Sequence, residues 1–169
     1  MGQQKPRSSP TQDQLRVWRD YIETAEALRD RLATRMQDES SLSTGDYRVL
    51  LALNEAEGRR MRSSELAEAI GWERSRLSHH LGRMERRGLI ARAACAEVAH
   101  GVDVLITDAG RERFRTGSVP HLHAVKELFV DALTPVQLDH VDGLSRALRA
   151  HLGLDGETVP GSSRGRSLR

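Results

Sequence analysis

Two glycines, Gly71 and Gly88, constrain the fold of this chain of 169 residues more than any other feature, because each ends a short run of apolar residues at helical spacing. The apolar positions of the two runs are Leu66, Ala67 and Ile70, and then Leu77, Leu81 and Met84. Ser63 and Ser64 stand before the first run and are both candidate N-caps. The pattern predicts two short helices, the second over about residues 74–87, joined by a glycine turn. This is a helix-turn-helix.

Two short strands are predicted directly after this motif. Residues 89–95 and 102–106 have the apolar content and alternation of strands, and the loop over residues 96–101 would join them in a hairpin. A hairpin in this position is a wing, so we expect a winged helix-turn-helix over residues 43–107.

Amphipathic helices are predicted on both sides of the winged unit. Apolar residues recur every three or four positions over residues 13–38, which predicts one long helix. Ser43 and Asp46 resemble a capping box for a helix over about residues 44–57, which Gly58 would end.

The C-terminal part of the chain, over residues 108–153, is also predicted to be helical. Thr107 is a candidate cap for a helix that we expect to be interrupted near residues 117–120. Thr134 followed by Pro135 begins the last helix. The sequence therefore predicts a mainly α fold with a small β-hairpin wing, in which a winged helix-turn-helix domain carries long N- and C-terminal dimerisation helices. Residues 1–12 and the basic residues 154–169 are expected to be disordered tails.

The charge of the chain is concentrated although its total is small. Lys and Arg number 26 against 24 Asp and Glu, a net charge of +2, but six arginines and one acid, Glu85, lie from Arg74 to Arg92. Such a local field attracts phosphates within a Debye length of about 10 Å. The single cysteine rules out an internal disulfide, and no apolar run resembles a membrane span or a secretory signal. We expect a cytoplasmic protein.

The second short helix carries its apolar stripe on one face and hydroxyl, imidazole and guanidinium groups on the other, at about 100° per residue. A guanidinium group matches the O6 and N7 acceptors of guanine, so Arg76 and Arg83 are the expected readers of bases. The other predicted DNA contacts, in which the arginines meet phosphates, are Ser63, Ser64, Arg74, Ser75, Ser78, His79, Arg86, Arg87 and, on the hairpin loop, His100.

Two residues of the same helix need separate interpretations. Gly82 weakens a helix by about 0.8–1 kcal/mol relative to alanine, which indicates either a close approach of the backbone to DNA or a tolerated substitution. His80 lies at the edge of the apolar stripe, and we expect it to pack rather than to contact DNA. The alternative for the whole segment is a solvated Arg-rich face, which the neighbouring capped helix and hairpin disfavour.

The central segment resembles the core of MarR-family regulators. The resemblance rests on SSELAEAIGWERSRLSHHLGRMERRGLIAR, then a hairpin and LITDAGRE, and extends to LSTGDYRVLLAL and LTPVQLDHVDGLSRAL within residues 13–153. It implies a homodimer in which the first helix and the last two helices of both chains interlace, while the winged domains bind the two halves of a pseudo-palindromic operator. It also implies a repressor that leaves double-stranded DNA when it binds a small phenolic or lipophilic effector or is oxidised.

The predicted wing departs from the family pattern. Members usually have an Asp and, two residues later, an Arg before the glycine of the second strand, whereas this chain has Val98, His100 and Gly101. Histidine is shorter than arginine and only partly charged at neutral pH. We therefore expect weak or pH-sensitive wing contacts.

The resemblance also implies a small-molecule pocket between the dimer helices and the winged domain. Trp18, Tyr21 and Arg48 are candidates to line it, offering stacking and an anion partner. The alternative is that Trp18 and Tyr21 simply pack in the dimer interface. Cys95 has no second cysteine to resolve a disulfide, so we expect a small packed residue rather than an oxidation sensor.

Other classes of protein fit the sequence less well. The histidine pairs 79/80 and 121/123 do not share a helix face, so neither a metal nor another cofactor is expected. No glycine-rich phosphate loop and no nucleophile motif indicates an enzyme. A winged-helix module whose Arg face recruits an acidic protein is the second hypothesis, after a sequence-specific DNA-binding repressor.

Overall fold

Side-chain caps set where the first two helices begin in the computed structural model, which describes residues 9–95 and 101–154. Helix α1 spans Gln12–Ser40, and the hydroxyl of Thr11 accepts the N–H of Gln14 at its start. Helix α2 spans Thr44–Glu55. The predicted capping box is confirmed, since the Ser43 hydroxyl accepts the Asp46 N–H at 3.0 Å and the Asp46 carboxylate accepts the Ser43 N–H at 2.9 Å.

The helix-turn-helix consists of α3, over Ser63–Ala69, and α4, over Arg74–Arg86. Gly71 between them has a φ of +63°, which glycine adopts without strain. The prediction that Ser63 or Ser64 caps α3 is wrong. Strand β1, over Arg60–Arg62, runs straight into the helix, so the residue at the cap position is Arg62, whose N–H donates to the Glu65 carboxylate at 3.4 Å.

The wing is a three-stranded antiparallel sheet rather than a hairpin alone. Strands β2, over Ile90–Ala94, and β3, over Val102–Ile106, are the predicted pair, and β1 joins the other edge of β3 in the order β1-β3-β2. In the register, Met61 is opposite Val104 and Ile90 is opposite Ile106. A three-residue strand with two arginines has too little apolar content to be found from its own sequence. Helix α2 ends at Glu55 rather than near residue 57 as predicted, and Gly58 lies in the short 3₁₀ turn over Glu57–Arg59 that follows.

Helix α5 runs without a break over Asp108–Val125, so the predicted interruption near residues 117–120 is wrong. Gly117 is buried against the end of α1, where a Cβ atom would lie 2.9 Å from the Cβ of Ser40. This close packing needs glycine in a helical conformation, and tertiary contact overrides the local preference of glycine and Pro120 to end a helix. A π-helical turn over Lys126–Val130 follows.

Helix α6 spans Pro135–His151 and starts as predicted, with the Thr134 hydroxyl accepting the Gln137 N–H and proline at the first position. The core lies in the winged unit and is built from α2, α3, α4 and the sheet. Its fully buried members include Leu42, Leu50, Leu53, Leu66, Leu77, Leu81, Met84, Ile90 and Val104.

The terminal helices contribute little to this core. Helix α6 buries none of its side chains, and α1 buries only Met36 and Ser40 at its C-terminal end. Both helices carry exposed large apolar residues, among them Leu15, Trp18, Tyr21, Leu144 and Leu148, and Leu152 directly after α6 is also exposed. Within residues 9–95 and 101–154, no helix is long and apolar enough to cross a membrane.

Candidate nucleic-acid interface

Helix α4 separates its side chains by face as the sequence predicts. Leu77, Leu81 and Met84 are buried, and the polar side chains point to solvent. The exposed residues of α4 are Arg74, Ser75, Arg76, Ser78, His79, Arg83 and Arg86. The helix thus presents a polar, basic surface to solvent. Its apolar stripe packs in the core and fixes the orientation of the helix.

Arg76 and Arg83 are held by neighbouring rings. The Cζ atom of Arg76 lies 4.4 Å from the centre of the Trp72 ring, a cation–π contact. The Nη2 atom of Arg83 lies 2.9 Å from Nδ1 of His80. Because arginine can only donate hydrogen bonds, Nδ1 accepts, and the proton of the neutral imidazole is on Nε2.

His80 packs in the domain, as expected, with 8% of its surface exposed. Its ring meets Trp72 edge to face at 5.1 Å, and its Nε2 atom lies 3.0 Å from Oδ1 of Asp46. The N–H is poorly aligned with that oxygen, so this contact is electrostatic more than a linear hydrogen bond. Gly45 makes the arrangement sterically feasible, since a Cβ atom there would lie 2.8 Å from Cε1 of His80 and 2.9 Å from Cη2 of Trp72.

Asp46 is the anchor of this cluster and is 2% exposed. Its Oδ2 atom accepts from Nη1 of Arg87 at 2.7 Å, and Nη2 of Arg87 donates to the carbonyl of Ser41 at 2.8 Å. Burial raises the pKa of Asp46, but the close contact with His80 and the hydrogen bonds from Arg87 and Ser43 outweigh it and hold the pKa well below its usual value. The charged carboxylate therefore ties the start of α2 to the middle and end of α4.

A second group of predicted residues meets in a cleft between α3, α4 and the wing. The cleft has a volume of about 290 Å³ and is lined by Arg62, Ser63, Ser64, Arg74, Ser78, Leu81, Arg92, Gly101 and Val102. Sequence reasoning missed Arg62 and Arg92, which the sheet brings here. Arg62 pairs with Glu65 at 3.1 Å and Arg92 with Glu85 at 2.5 Å, while Arg74 has no such partner within residues 9–95 and 101–154.

The three candidate effector residues are not brought together within one chain. Trp18 and Tyr21 lie on α1 with 59% and 45% of their surfaces exposed. Arg48 donates to the carbonyl of Ile70 at 2.6 Å and lines a cleft beside Arg29, Trp72 and α4, which neither aromatic residue lines.

Several other candidates have simpler surroundings. A Cβ atom on Gly82 would meet only Nη1 of Arg86, at 3.9 Å, so no contact in the described chain requires glycine there. Cys95 is half-buried, and its N–H donates to the carbonyl of Gly101 at 2.9 Å. Val98 and His100, on which the predicted wing contact depends, lie outside the described residues. In the described part of the chain, no three His, Cys, Asp or Glu side chains form a group that could hold a metal ion.

Comparison with known proteins identifies the family. A sequence model of the MarR family matches residues 40–99. AbsC, a MarR family transcriptional regulator from Streptomyces coelicolor, is 32% identical with a TM-score of 0.79, and the match covers 86% of this chain and 97% of AbsC. Sco3205, a MarR family transcriptional regulator from the same organism solved in complex with DNA, is 34% identical with a TM-score of 0.80, covering 85% and 94%. The chain belongs to the MarR family.

MarR-family membership agrees with the winged helix-turn-helix and the flanking helices found here. A mutant of MarR from E. coli, complexed with operator DNA, shares the fold at a TM-score of 0.70 and 15% identity, over 83% of this chain and 99% of that one. No curated protein sequence matches the chain. AbsC and Sco3205 are both transcriptional regulators, a class of protein distinct from enzymes.

Proposed function

We propose that this MarR-family protein is a sequence-specific repressor that binds a pseudo-palindromic operator as a homodimer and is released by a small-molecule effector. The observation that carries the proposal is the exposed basic face of α4. Two residues of α4, Arg74 and Ser78, also line the cleft between α3 and the wing. Acting on chromosomal DNA, the protein would work in the cytoplasm.

The DNA contacts are divided by chemistry. Arg76 and Arg83 read guanine edges, and the hydroxyl and imidazole groups of α4 add contacts in the major groove. Arg74 and Arg86 bind phosphates together with the hydroxyls of the cleft. The guanidinium of Arg87 is already bonded to Asp46 and Ser41, so it acts on phosphate through its charge. His100 is proposed as a wing contact on sequence grounds alone.

The homodimer is supported by the uncovered apolar faces of α1 and α6, since large exposed apolar patches mark interfaces. Replacing Leu148 of α6 by Glu should convert the dimer to monomers in light scattering coupled to gel filtration. The control is Arg146→Ala, an exposed change on the same helix that leaves the apolar face intact. A wild-type protein that is monomeric at micromolar concentration would contradict the proposal.

The effector is proposed to be a phenolic or lipophilic compound bound where α1 of one protomer meets the winged domain of its partner. Trp18 and Tyr21 would stack on it and Arg48 would pair with an acidic group. The shared fold of an organohalide-sensing regulator solved with 2,4-dichlorophenol suggests that compound as a probe. It should release DNA from the wild type and release less from Trp18→Ala. Release that is unchanged in Trp18→Ala would remove Trp18 from the site.

The DNA proposal is tested by fluorescence anisotropy with the duplex upstream of the protein's own gene and a scrambled duplex of equal composition. Binding should weaken steeply between 50 and 200 mM salt, as released counterions require, by about 10³-fold or more for a set of six phosphate contacts. The double variant Arg76→Ala, Arg83→Ala should lose the preference for the native duplex. The control Arg115→Ala, on α5, should keep it.

Either of two results would overturn the proposal: no preference over scrambled DNA, or wild-type affinity in the double variant. If the double variant keeps wild-type affinity for DNA but no longer binds an acidic protein partner, the basic face would instead have a protein-docking role.

A further inference from the structure

We propose that Trp72, His80 and Asp46 form a positioning unit that fixes the directions of Arg76 and Arg83, and so sets the DNA sequence preference without contacting DNA. The inference rests on the proposed function, because it assumes that these two arginines read bases. It adds three residues outside the exposed face of α4 to the determinants of specificity.

The first link in the unit is Trp72, in the turn before α4. An arginine on a helix surface samples many rotamers, and those that miss the base edge do not contribute to recognition. Stacking at 4.4 Å from the Trp72 ring centre limits Arg76 to the rotamers that keep its planar guanidinium over the indole. The ring thus selects the direction from which Arg76 approaches the groove.

The second link is His80, which contacts both Trp72 and Arg83. Its edge-to-face contact, with an interplanar angle of 84°, holds the indole, and its Nδ1 atom accepts from Arg83 at 2.9 Å. The acceptor role of Nδ1 requires the Nε2–H tautomer, and the charged carboxylate of Asp46, 3.0 Å from Nε2, favours that tautomer. One imidazole therefore orients both arginines.

The third link ties the unit to the rest of the domain. Asp46 is buried at the start of α2 and bonded to Ser43 and Arg87, so it is a fixed reference point. The rings of Trp72 and His80 pack directly on Gly45, where a Cβ atom would lie within 3 Å of both. Packing on Gly45 and the polar contacts of Asp46 thus restrain the positions of the two rings.

A positioning role and a merely structural role differ in their effects on DNA. Loss of packing alone would lower the melting temperature and weaken all sequences alike. Loss of positioning weakens discrimination only at the base pairs that Arg76 or Arg83 reads. The salt dependence, which reports phosphate contacts, should stay unchanged.

The test uses a pool of duplexes with a randomised 20-base-pair segment, from which the full-length dimer selects its preferred sites. Bound fractions are sequenced for the wild type, for Trp72→Ala, for Arg76→Ala and for the variant that combines Trp72→Ala with Arg76→Ala. Trp72→Ala should reduce discrimination about three- to tenfold at the positions that Arg76→Ala affects, and should add nothing in the Arg76→Ala background. Trp72→Phe, which keeps an aromatic ring, should recover part of the loss.

The histidine is tested with two amides. His80→Asn keeps an acceptor near Nδ1 for Arg83, whereas His80→Gln keeps a donor near Nε2 for Asp46 and loses that acceptor. Discrimination at the positions read by Arg83 should persist in His80→Asn and fall in His80→Gln. Equal profiles for the two variants would overturn the assignment of Nδ1 to Arg83.

The matched control is Tyr47→Ala, which removes a half-buried ring that packs on Phe114 and His121 of α5 and has no ring contact with Trp72 or His80. It should lower stability without a position-specific change in the profile. A Trp72→Ala profile that matches the Tyr47→Ala profile would refute the positioning unit. Additive losses of discrimination in the variant that combines Trp72→Ala with Arg76→Ala would also refute it. If the wild type selects no preferred sequence, the proposed function itself fails. If the wild type selects one and Trp72→Ala keeps the same profile, only the further inference fails.

Discussion

The buried carboxylate of Asp46 makes a strong prediction for stability, because Asp46→Asn changes its charge and leaves its shape nearly intact. The carboxylate accepts from Arg87 at 2.7 Å and from the Ser43 N–H at 2.9 Å. Both donors bond to Oδ2, which the single oxygen of asparagine can replace. The amide group then takes the place of Oδ1, where it faces the Nε2–H of His80 at about the same distance and is left without an acceptor. The unsatisfied amide costs about 1–3 kcal/mol. The bond to Arg87 loses the charge of its acceptor, which adds about 1–2 kcal/mol because the Arg87 side chain is 44% exposed.

We therefore expect Asp46→Asn to lower the free energy of unfolding by about 2–5 kcal/mol at pH 7. Urea denaturation followed by circular dichroism at one fixed protein concentration measures the change. The folded-state pKa of Asp46 is lowered, so its stabilisation is present above the unfolded value of about 4 and is lost as the pH falls through the folded-state pKa. The difference between wild type and variant should hold from pH 7 to 5 and shrink below pH 4.

The matched control for this prediction is Glu112→Gln on α5. Glu112 also pairs with an arginine at 2.7 Å, but its side chain is 61% exposed, and we expect no measurable change. Equal effects of the two substitutions, or a difference that persists unchanged into strong acid, would refute the reasoning from burial and charge.

Three further predictions concern the rest of the fold. A Cβ atom on Gly110 would lie 1.9 Å from the carbonyl oxygen of Leu89, so Gly110→Ala should lower the free energy of unfolding by about 1–3 kcal/mol and lower the melting temperature. Gly82→Ala should raise the free energy of unfolding by about 1 kcal/mol and raise the melting temperature. Thr107→Ala removes the cap that accepts the Gly110 N–H at 2.9 Å and should cost about 1–2 kcal/mol in urea titration; an unchanged midpoint would contradict it. Burial lowers the pKa of His121, so the wild type should lose stability as the pH falls below about 6.5, where the unfolded chain takes up a proton first, and His121→Phe should lose less.

Local chemistry explains which elements could be predicted. Helix α4 lies within one residue of its predicted bounds because its apolar stripe and the glycines around it act over a few residues. The starts of α2 and α6 follow from Ser43 and Thr134, whose hydroxyls bond to an N–H three residues away. These interactions depend on neighbours in sequence and are therefore visible in the sequence.

Non-local contacts explain the errors. Strand β1 exists because Met61 pairs with Val104, 43 positions further along the chain, and its own three residues carry no strand pattern. Helix α5 continues through Gly117 because the end of α1 packs on that glycine. In both cases the deciding partner is distant in sequence, so local preference gave the wrong result.

The sequence by itself determined the winged helix-turn-helix, the family resemblance and the basic face of α4, since periodicity and charge decide which face of a helix is buried. Only the tertiary structure decided how that face is held. The partner of Arg87 is 41 residues away, and the contacts of His80 with Asp46 and of Arg76 with Trp72 depend on how α2, the turn and α4 pack together. Side-chain direction depends on packing in three dimensions, and the spacing of residues in a sequence does not encode it.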